Sequence, residues 1–113
     1  MHEAALAQAI VEIVVERSKR DSFLRAKVVR VTLGELSHVM PEALALGFRS
    51  AAAGTAAEGA HLDLIRSPGK AWCMDCAIEV SIPSRISPCP ICGGGKVVVT
   101  GGEEMRVTEL EVD

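Results

Sequence analysis

Cys73-Met74-Asp75-Cys76 and, twelve residues further on, Cys89-Pro90-Ile91-Cys92-Gly93 are the two stretches on which the reading of this chain turns. Two residues between paired cysteines let one tight turn aim both sulfurs at a single ion. Four thiolates around one point form the tetrahedral set that zinc takes, at about 2.3 Å per bond. Gly93 supplies the left-handed backbone that closes the second turn without a Cβ clash. Between the pairs, Ile78, Val80 and Ile82 alternate as a strand, and the three valines at 97–99 supply another. The stretch spells a four-cysteine zinc ribbon with Cys73, Cys76, Cys89 and Cys92 as ligands. Four protein ligands leave no open coordination position, so the expected zinc is structural. Turn amides donating to the thiolates are expected to support it.

Other uses of four cysteines compete with this one. A disulfide framework needs an oxidising compartment. A redox Cys-x-x-Cys needs a βαβ setting that the flanks do not provide. An iron–sulfur cluster uses the same thiolates and stays open on the sequence alone.

Working outward, Ser67-Pro68-Gly69 and Gly101-Gly102 bracket the cysteine-bearing stretch. They mark residues 69–102 as an inserted module, with limited hinges expected at both junctions. Upstream, residues 3–20 carry helical periodicity. Leu6, Ile10, Ile13 and Val14 form one stripe that Val11 and Val15 widen, as for a helix lying on a sheet. Glu12 and Glu16 precede Arg17, Lys19 and Arg20, the order that complements the helix dipole. Residues 27–33 alternate, with Val29, Val31 and Leu33 on one face and Val28, Arg30 and Thr32 on the other, before Gly34 ends the strand. A second helix is predicted from Pro41 to just before Gly54, with Leu44, Phe48 and residues 51–53 as its apolar side. Residues 60–66 read as a strand with Leu62 and Leu64 facing one way. The tail, 105–112, reads as a third. Its apolar positions slip from Met105 and Val107 to Leu110 and Val112, which predicts a β-bulge near Thr108 and Glu109. The expected fold is therefore α+β. A two-helix, three-stranded-sheet domain of residues 1–68 is completed by the strand 103–113 and interrupted by the ribbon of 69–102.

Composition sets the limits of function. The chain has 113 residues, 49 % of them hydrophobic but only 3 % aromatic, so its core must be aliphatic. A small aliphatic core is marginal, and a metal staple offsets that. The formal net charge is −3 and the basic residues form no patch, which argues against nucleic acid. No stretch approaches the roughly 18 apolar residues of a membrane span, and the first residues lack the pattern of a secretory signal. The expected location is the cytoplasm.

A second metal feature stands at the start. A terminal amine at Met1, one peptide nitrogen and the Nδ1 of His2 form fused five- and six-membered chelate rings around one ion. That nitrogen-rich, nearly planar set favours Ni(II) or Cu(II) over Zn(II). Glu3 can add an oxygen or its backbone nitrogen. A histidine at position 2 is, by itself, an ordinary solvated residue, and more is needed to make it a ligand.

The chain as a whole resembles the HypA/HybF family. The resemblance is carried by Met1-His2-Glu3, by Val31-Thr32-Leu33-Gly34-Glu35-Leu36-Ser37 and by Pro41-Glu42-Ala43-Leu44. It continues through Gly54-Thr55-Ala56-Ala57-Glu58-Gly59-Ala60, the two cysteine pairs and Glu104-Met105-Arg106. It implies a nickel metallochaperone with no catalysis of its own, carrying Ni(II) as transient cargo beside a structural Zn(II). It also implies delivery to the large subunit of nickel–iron hydrogenase together with the GTPase HypB. His2 then matches the nickel ligand and Glu3 its neighbour. An acidic residue that some members place before the second helix is Met40 here, and a thioether suits nickel poorly on an oxygen- and nitrogen-rich site. His38 is a nearby substitute for that ligand. Glu42 reads better as a first-turn acid at a helix N-terminus, and His61 as a surface residue. The Ala-rich second helix and an exposed sheet edge also suit pairing with a second copy. Two other functions compete with this one. A zinc-ribbon adaptor without nickel transfer would need a basic, aromatic-studded ribbon to bind nucleic acid, whereas Lys70, Arg85 and Lys96 are scattered and Trp72 is the sole aromatic there. A small hydrolase built on His2, Glu3 and His38 lacks a nucleophile.

Overall fold

The computed structural model describes residues 3–113. In chain order the elements are α1 (Glu3–Asp21), β1 (Ala26–Gly34), α2 (Pro41–Ala52), β2 (His61–Ser67), β3 (Lys70–Cys73), β4 (Ile78–Ser81), β5 (Val97–Gly101) and β6 (Met105–Val112), with a 3-10 turn at Glu35–Ser37. They form two three-stranded sheets, ordered β2-β1-β6 and β4-β3-β5. The fold is α+β, and the C-terminal strand returns to the sheet of the first half. The chain divides into two compact units. One comprises the residues up to Val31 with Val39–Ile65 and Arg106–Asp113; the other comprises Thr32–His38 and Arg66–Met105. The second unit thus takes in residues 32–38, which a reading along the chain assigns to the first.

In the first unit, α1 and α2 pack on each other. The buried stripe of α1 is Ala7, Ile10, Val11 and Val14. It is rotated from the expected one: Ile13 is 41 % exposed and Ala7 takes an inside position. The cause is the close approach of α2. A Cβ placed on Gly47 would lie 3.2 Å from the Cβ of Ala7, so the crossing selects small side chains over large ones. On α2, Leu44, Phe48 and Ala52 are buried, Pro41 occupies the first turn and Gly54 lies beyond the end with φ +77°. Val29 and Val31 of β1 are fully buried, as is Leu33 where the strand enters the second unit, as their alternation requires.

The opposite side of β1 presents Arg30, which reaches across all three strands. Its Nε donates to Asp63 on β2 at 2.8 Å, and its two terminal nitrogens donate to Glu109 at 2.7 Å and Glu111 at 3.1 Å on β6. The hydrogen bonds that Arg30 donates to Asp63 and Glu111 hold the guanidinium more firmly in its charged form than usual. Along β6 the half-buried positions are Met105, Val107 and Leu110, so the inward face does shift within the strand, while Val112 is exposed.

In the second unit, β3 is the central strand, and the sequence reading did not foresee it. Trp72 pairs with Glu79 and Val98, and Cys73 with Ile78 and Val97. Ala71 faces Val99 but Lys70 faces Gly101, so Thr100 is an extra residue on β5. The core is Leu36, Ala71, Cys73, Val80, Ile82 and Cys89. Leu36 enters it from the 3-10 turn, far upstream in sequence. The amide of Leu36 donates to Gly102 O at 2.8 Å, that of Gly34 to Glu104 O at 2.7 Å, and that of Ile82 to Gly69 O at 3.0 Å. Gly69 and Gly102, expected at loose junctions, are instead stacked backbone to backbone. A Cβ on Gly102 would lie 2.6 Å from Gly69 Cα, and one on Gly34 would lie 2.0 Å from Gly102 O.

The two cysteine turns end alike. Ala77 (φ +55°) follows Cys76 and Gly93 (φ +74°) follows Cys92, each in the left-handed region. Ala77 N donates to Cys73 O at 2.8 Å, and Gly93 N to Cys89 O at 2.8 Å. An alanine there is strained by roughly 1 kcal/mol.

Two stability measurements check this packing. Gly34→Ala should lower the unfolding free energy by about 3 kcal/mol in denaturant titration, because the methyl meets backbone that cannot yield; a loss below about 1 kcal/mol would contradict the close contact. At position 77 stability should rank Gly above Ala above Val. Ala77→Gly should gain about 0.5 kcal/mol, the relief of strain outweighing the added freedom of the unfolded chain.

Candidate metal centre

The four cysteine sulfurs converge. Cys73 ends β3, Cys76 closes the turn after it, and Cys89 and Cys92 stand on the turn before β5. All four Sγ atoms lie within 4.8 Å of one another. Cys73 Sγ is 3.7 Å from Cys92 Sγ, and Cys76 Sγ is 4.0 Å from Cys89 Sγ. A tetrahedron with bonds of about 2.3 Å has edges of about 3.8 Å, so the residues fit a single zinc-sized ion. They do not fit the competing readings equally well. A disulfide brings its sulfurs to about 2.05 Å, and the four cysteines are free. A cluster of two or more irons would spread its thiolates further apart than this space allows. Zinc bound here would be closed off by protein ligands and would act by holding the turns together.

The sulfurs are unequally placed. Cys73 and Cys89 are buried, Cys76 is half-buried and Cys92 is exposed. Backbone amides support them: Cys76 N donates to Cys73 Sγ and Ile91 N to Cys89 Sγ, both at 3.4 Å. Gly94 O accepts from Cys89 N at 2.9 Å and ties the second turn.

Without a cation the four cannot ionise together. The Cys92 amide, with that of Ile91, draws the Cys89 thiol down to about 7. Its hydrogen bond with Cys92 and its desolvation push Cys76 up to about 12. For Cys92 the Gly94 amide pulls down, but the neighbouring thiols of Cys73 and Cys89 and desolvation outweigh it, and the net shift is upward. One thiolate forms readily and its neighbours resist, the behaviour of a site built for a cation.

The residues expected at the second metal feature are placed as follows. Met1 and His2 lie outside the described residues. Glu3 opens α1, and its Oε2 accepts a hydrogen bond from the backbone amide of Met40 at 3.1 Å. Met40 is the residue that caps α2 and has no side-chain cap of its own. Glu3 thus does from another helix what the third residue of a capping box does locally. The Met40 side chain is 61 % exposed. His38 is exposed and left-handed (φ +60°) at the end of the 3-10 turn, Glu42 is exposed in the first turn of α2, and His61 is exposed at the start of β2. Among the described residues, the four cysteines are the one group of three or more His, Cys, Asp or Glu side chains that can hold a metal ion. Sequence reasoning missed the Glu3–Met40 link, since nothing local pairs residues 3 and 40. It also missed Ala77, because an alanine carries no signal for a positive φ.

Comparison with known proteins bears on the whole chain. The family model described as "Hydrogenase/urease nickel incorporation, metallochaperone, hypA" matches residues 1–112. "Hydrogenase maturation factor HypA 2" of Bradyrhizobium diazoefficiens is 52 % identical over 113 residues, covering all of both chains. "Hydrogenase maturation factor HypA" of Rhodopseudomonas palustris is 45 % identical, again over the full length of both. The fold matches the solution structure of the Ni metallochaperone HypA from Helicobacter pylori with a TM-score of 0.71 at 24 % identity, covering 99 % of this chain and 97 % of that one. Those relatives are maturation factors rather than enzymes, and the chain belongs to the HypA family of nickel metallochaperones in hydrogenase maturation.

Proposed function

We propose that this protein carries Ni(II) as transient cargo at its N-terminal end while Zn(II) staples the Cys73, Cys76, Cys89 and Cys92 ribbon. The nickel set is the imidazole of His2 with the Met1 amine and the intervening peptide nitrogen. Glu3 supplies its backbone nitrogen, since its carboxylate is engaged by Met40. The single observation that carries this reading is the Glu3–Met40 hydrogen bond of 3.1 Å. It gives Glu3, the residue that follows His2, a fixed footing on the start of α2. The family match beginning at residue 1 supports the same end of the chain. His38 stands as a further, weaker donor, replacing the acidic residue that Met40 displaces. In this reading the nickel passes, with a HypB-type GTPase, to the large subunit of nickel–iron hydrogenase in the cytoplasm. No helix among the described residues is long and apolar enough to cross a membrane.

Calorimetric titration of the untagged protein with nickel tests the N-terminal set. His2→Ala should abolish tight nickel binding and leave zinc and fold intact, and a short extension ahead of Met1 should weaken it with His2 still present. His38→Ala should cost less than either. Equal affinity in wild type and His2→Ala would reject the proposed ligands.

Zinc affinity should rise with pH, because the metal must displace the protons that Cys76 and Cys92 hold at neutral pH. Each proton displaced makes affinity climb by roughly tenfold per pH unit, so the slope should be at least about a hundredfold. Competition with a chromophoric chelator at pH 6, 7 and 8 reads this directly. Cys73→Ala, which removes a buried ligand, should lose the zinc and unfold the ribbon; stoichiometric zinc in that variant would sink the assignment.

A further inference from the structure

The segment 54–60, Gly54-Thr55-Ala56-Ala57-Glu58-Gly59-Ala60, takes no part in either metal feature, yet it is held far more tightly than a connector requires. Glu58 folds back so that its Oε1 accepts from Gly54 N at 2.8 Å, and Arg25 donates to its Oε2 at 3.3 Å and to its carbonyl at 3.1 Å. Thr55 Oγ1 donates to Ala52 O at 2.7 Å and accepts from Ala57 N at 3.1 Å. Ala26 N donates to Ala56 O at 2.8 Å. Gly54 (φ +77°) and Gly59 (φ +79°) turn the chain at each end.

What this frame walls off is a cavity of about 390 Å³ between the segment, α2 and the start of β2. It exists because Ala45, Ala52, Ala57 and Ala60 stand where larger side chains would fill the space, with Phe48 and Leu62 as its bulkier apolar walls. A preformed hollow of this size, mostly apolar with few polar groups, is the form of a binding site. Its two titratable lining residues are Arg49 and His61. Neither has an ion-pair partner among the described residues, and the nearest acid of the segment, Glu58, is already committed to Gly54 and Arg25. In a chain of net charge −3, an apolar hollow with the Arg49 guanidinium and no acid among its lining residues is complementary to an anion joined to an aliphatic chain.

We infer that this cavity receives an acidic peptide segment of a protein partner, with an aliphatic side chain in the hollow and a carboxylate paired with Arg49. A guanidinium pairs with a carboxylate through two parallel hydrogen bonds, and the alanine floor sets the room for the neighbouring side chain.

Amide and methyl NMR of the full zinc-loaded chain, titrated with acetyl-Leu-Asp-Leu-Asp-amide, tests this. Shifts should be confined to residues 45–62. The isosteric peptide with Asn in place of Asp should bind about tenfold more weakly, as should Arg49→Gln toward the acidic peptide. Ala60→Leu, which fills the hollow without touching a charge, should also weaken binding about tenfold, while nickel and zinc binding stay unchanged in both variants. Shifts scattered over the surface, equal binding of the Asn peptide, or no effect of Arg49→Gln would overturn the proposal. So would free glutarate binding as tightly as the peptide, since the hollow would then serve a small organic acid.

Discussion

Four sulfurs lie within 4.8 Å of one another, and a folded unit organised around such a cluster depends on what neutralises it. Thiolates at that separation repel, so without a cation the cluster stays largely protonated and its turns lose their common anchor. With one ion, each sulfur gains a bond and the repulsion turns into attraction. Two of the four, Cys73 and Cys89, are also members of the hydrophobic core of their unit, beside Leu36, Ala71, Val80 and Ile82. A core of six small residues is too little to fold on hydrophobic burial alone. A metal held by the four sulfurs would therefore fasten the same residues that form the core. The backbone contact of Gly34, Gly69 and Gly102 tightens that unit further, because side chains are absent where its strands enter and leave.

The first unit solves its stability differently. It has two helices packed by their apolar faces, fully buried valines on β1, and a guanidinium that ties three strands through Asp63, Glu109 and Glu111. These carboxylates come from both flanking strands, and Glu109 and Glu111 lie some eighty residues from Arg30 in sequence. The arginine thus favours the pairing of the C-terminal strand with β1 over any register that would leave three acids facing one another without a cation. Individual exposed pairs contribute little, but a shared cation penalises the wrong register strongly.

A carrier must release what it binds. The cysteine centre offers four protein sulfurs, enough to leave no open coordination position, and suits a metal that stays. Donor chemistry separates metals of similar size, soft thiolates favouring some and imidazole and amine nitrogen others.

The cysteine spacing, Gly93, the alternation of residues 27–33 and the Pro41-to-Gly54 helix limits were all legible in the sequence, because each rests on local geometry: a turn, a strand period, a helix end. The four sulfurs converge where that spacing put them. Other features were decided only by tertiary structure. Which stripe of α1 is buried depended on the approach of Gly47 to Ala7, and a helix whose Leu6, Ala7, Ile10, Val11, Ile13, Val14 and Val15 spread round much of its surface offers more than one candidate stripe. Leu36 joined the ribbon core from a three-residue turn too short to show a period. Gly69 and Gly102, which look like hinges by composition, are close-packed because their missing side chains let two backbones meet. Ala77 holds a left-handed turn by force of its surroundings, and Glu3 finds Met40 across thirty-seven residues. Local periodicity reports the conformation of a segment; which partner that segment meets is settled by packing, where small residues and long-range charges choose among locally equivalent faces.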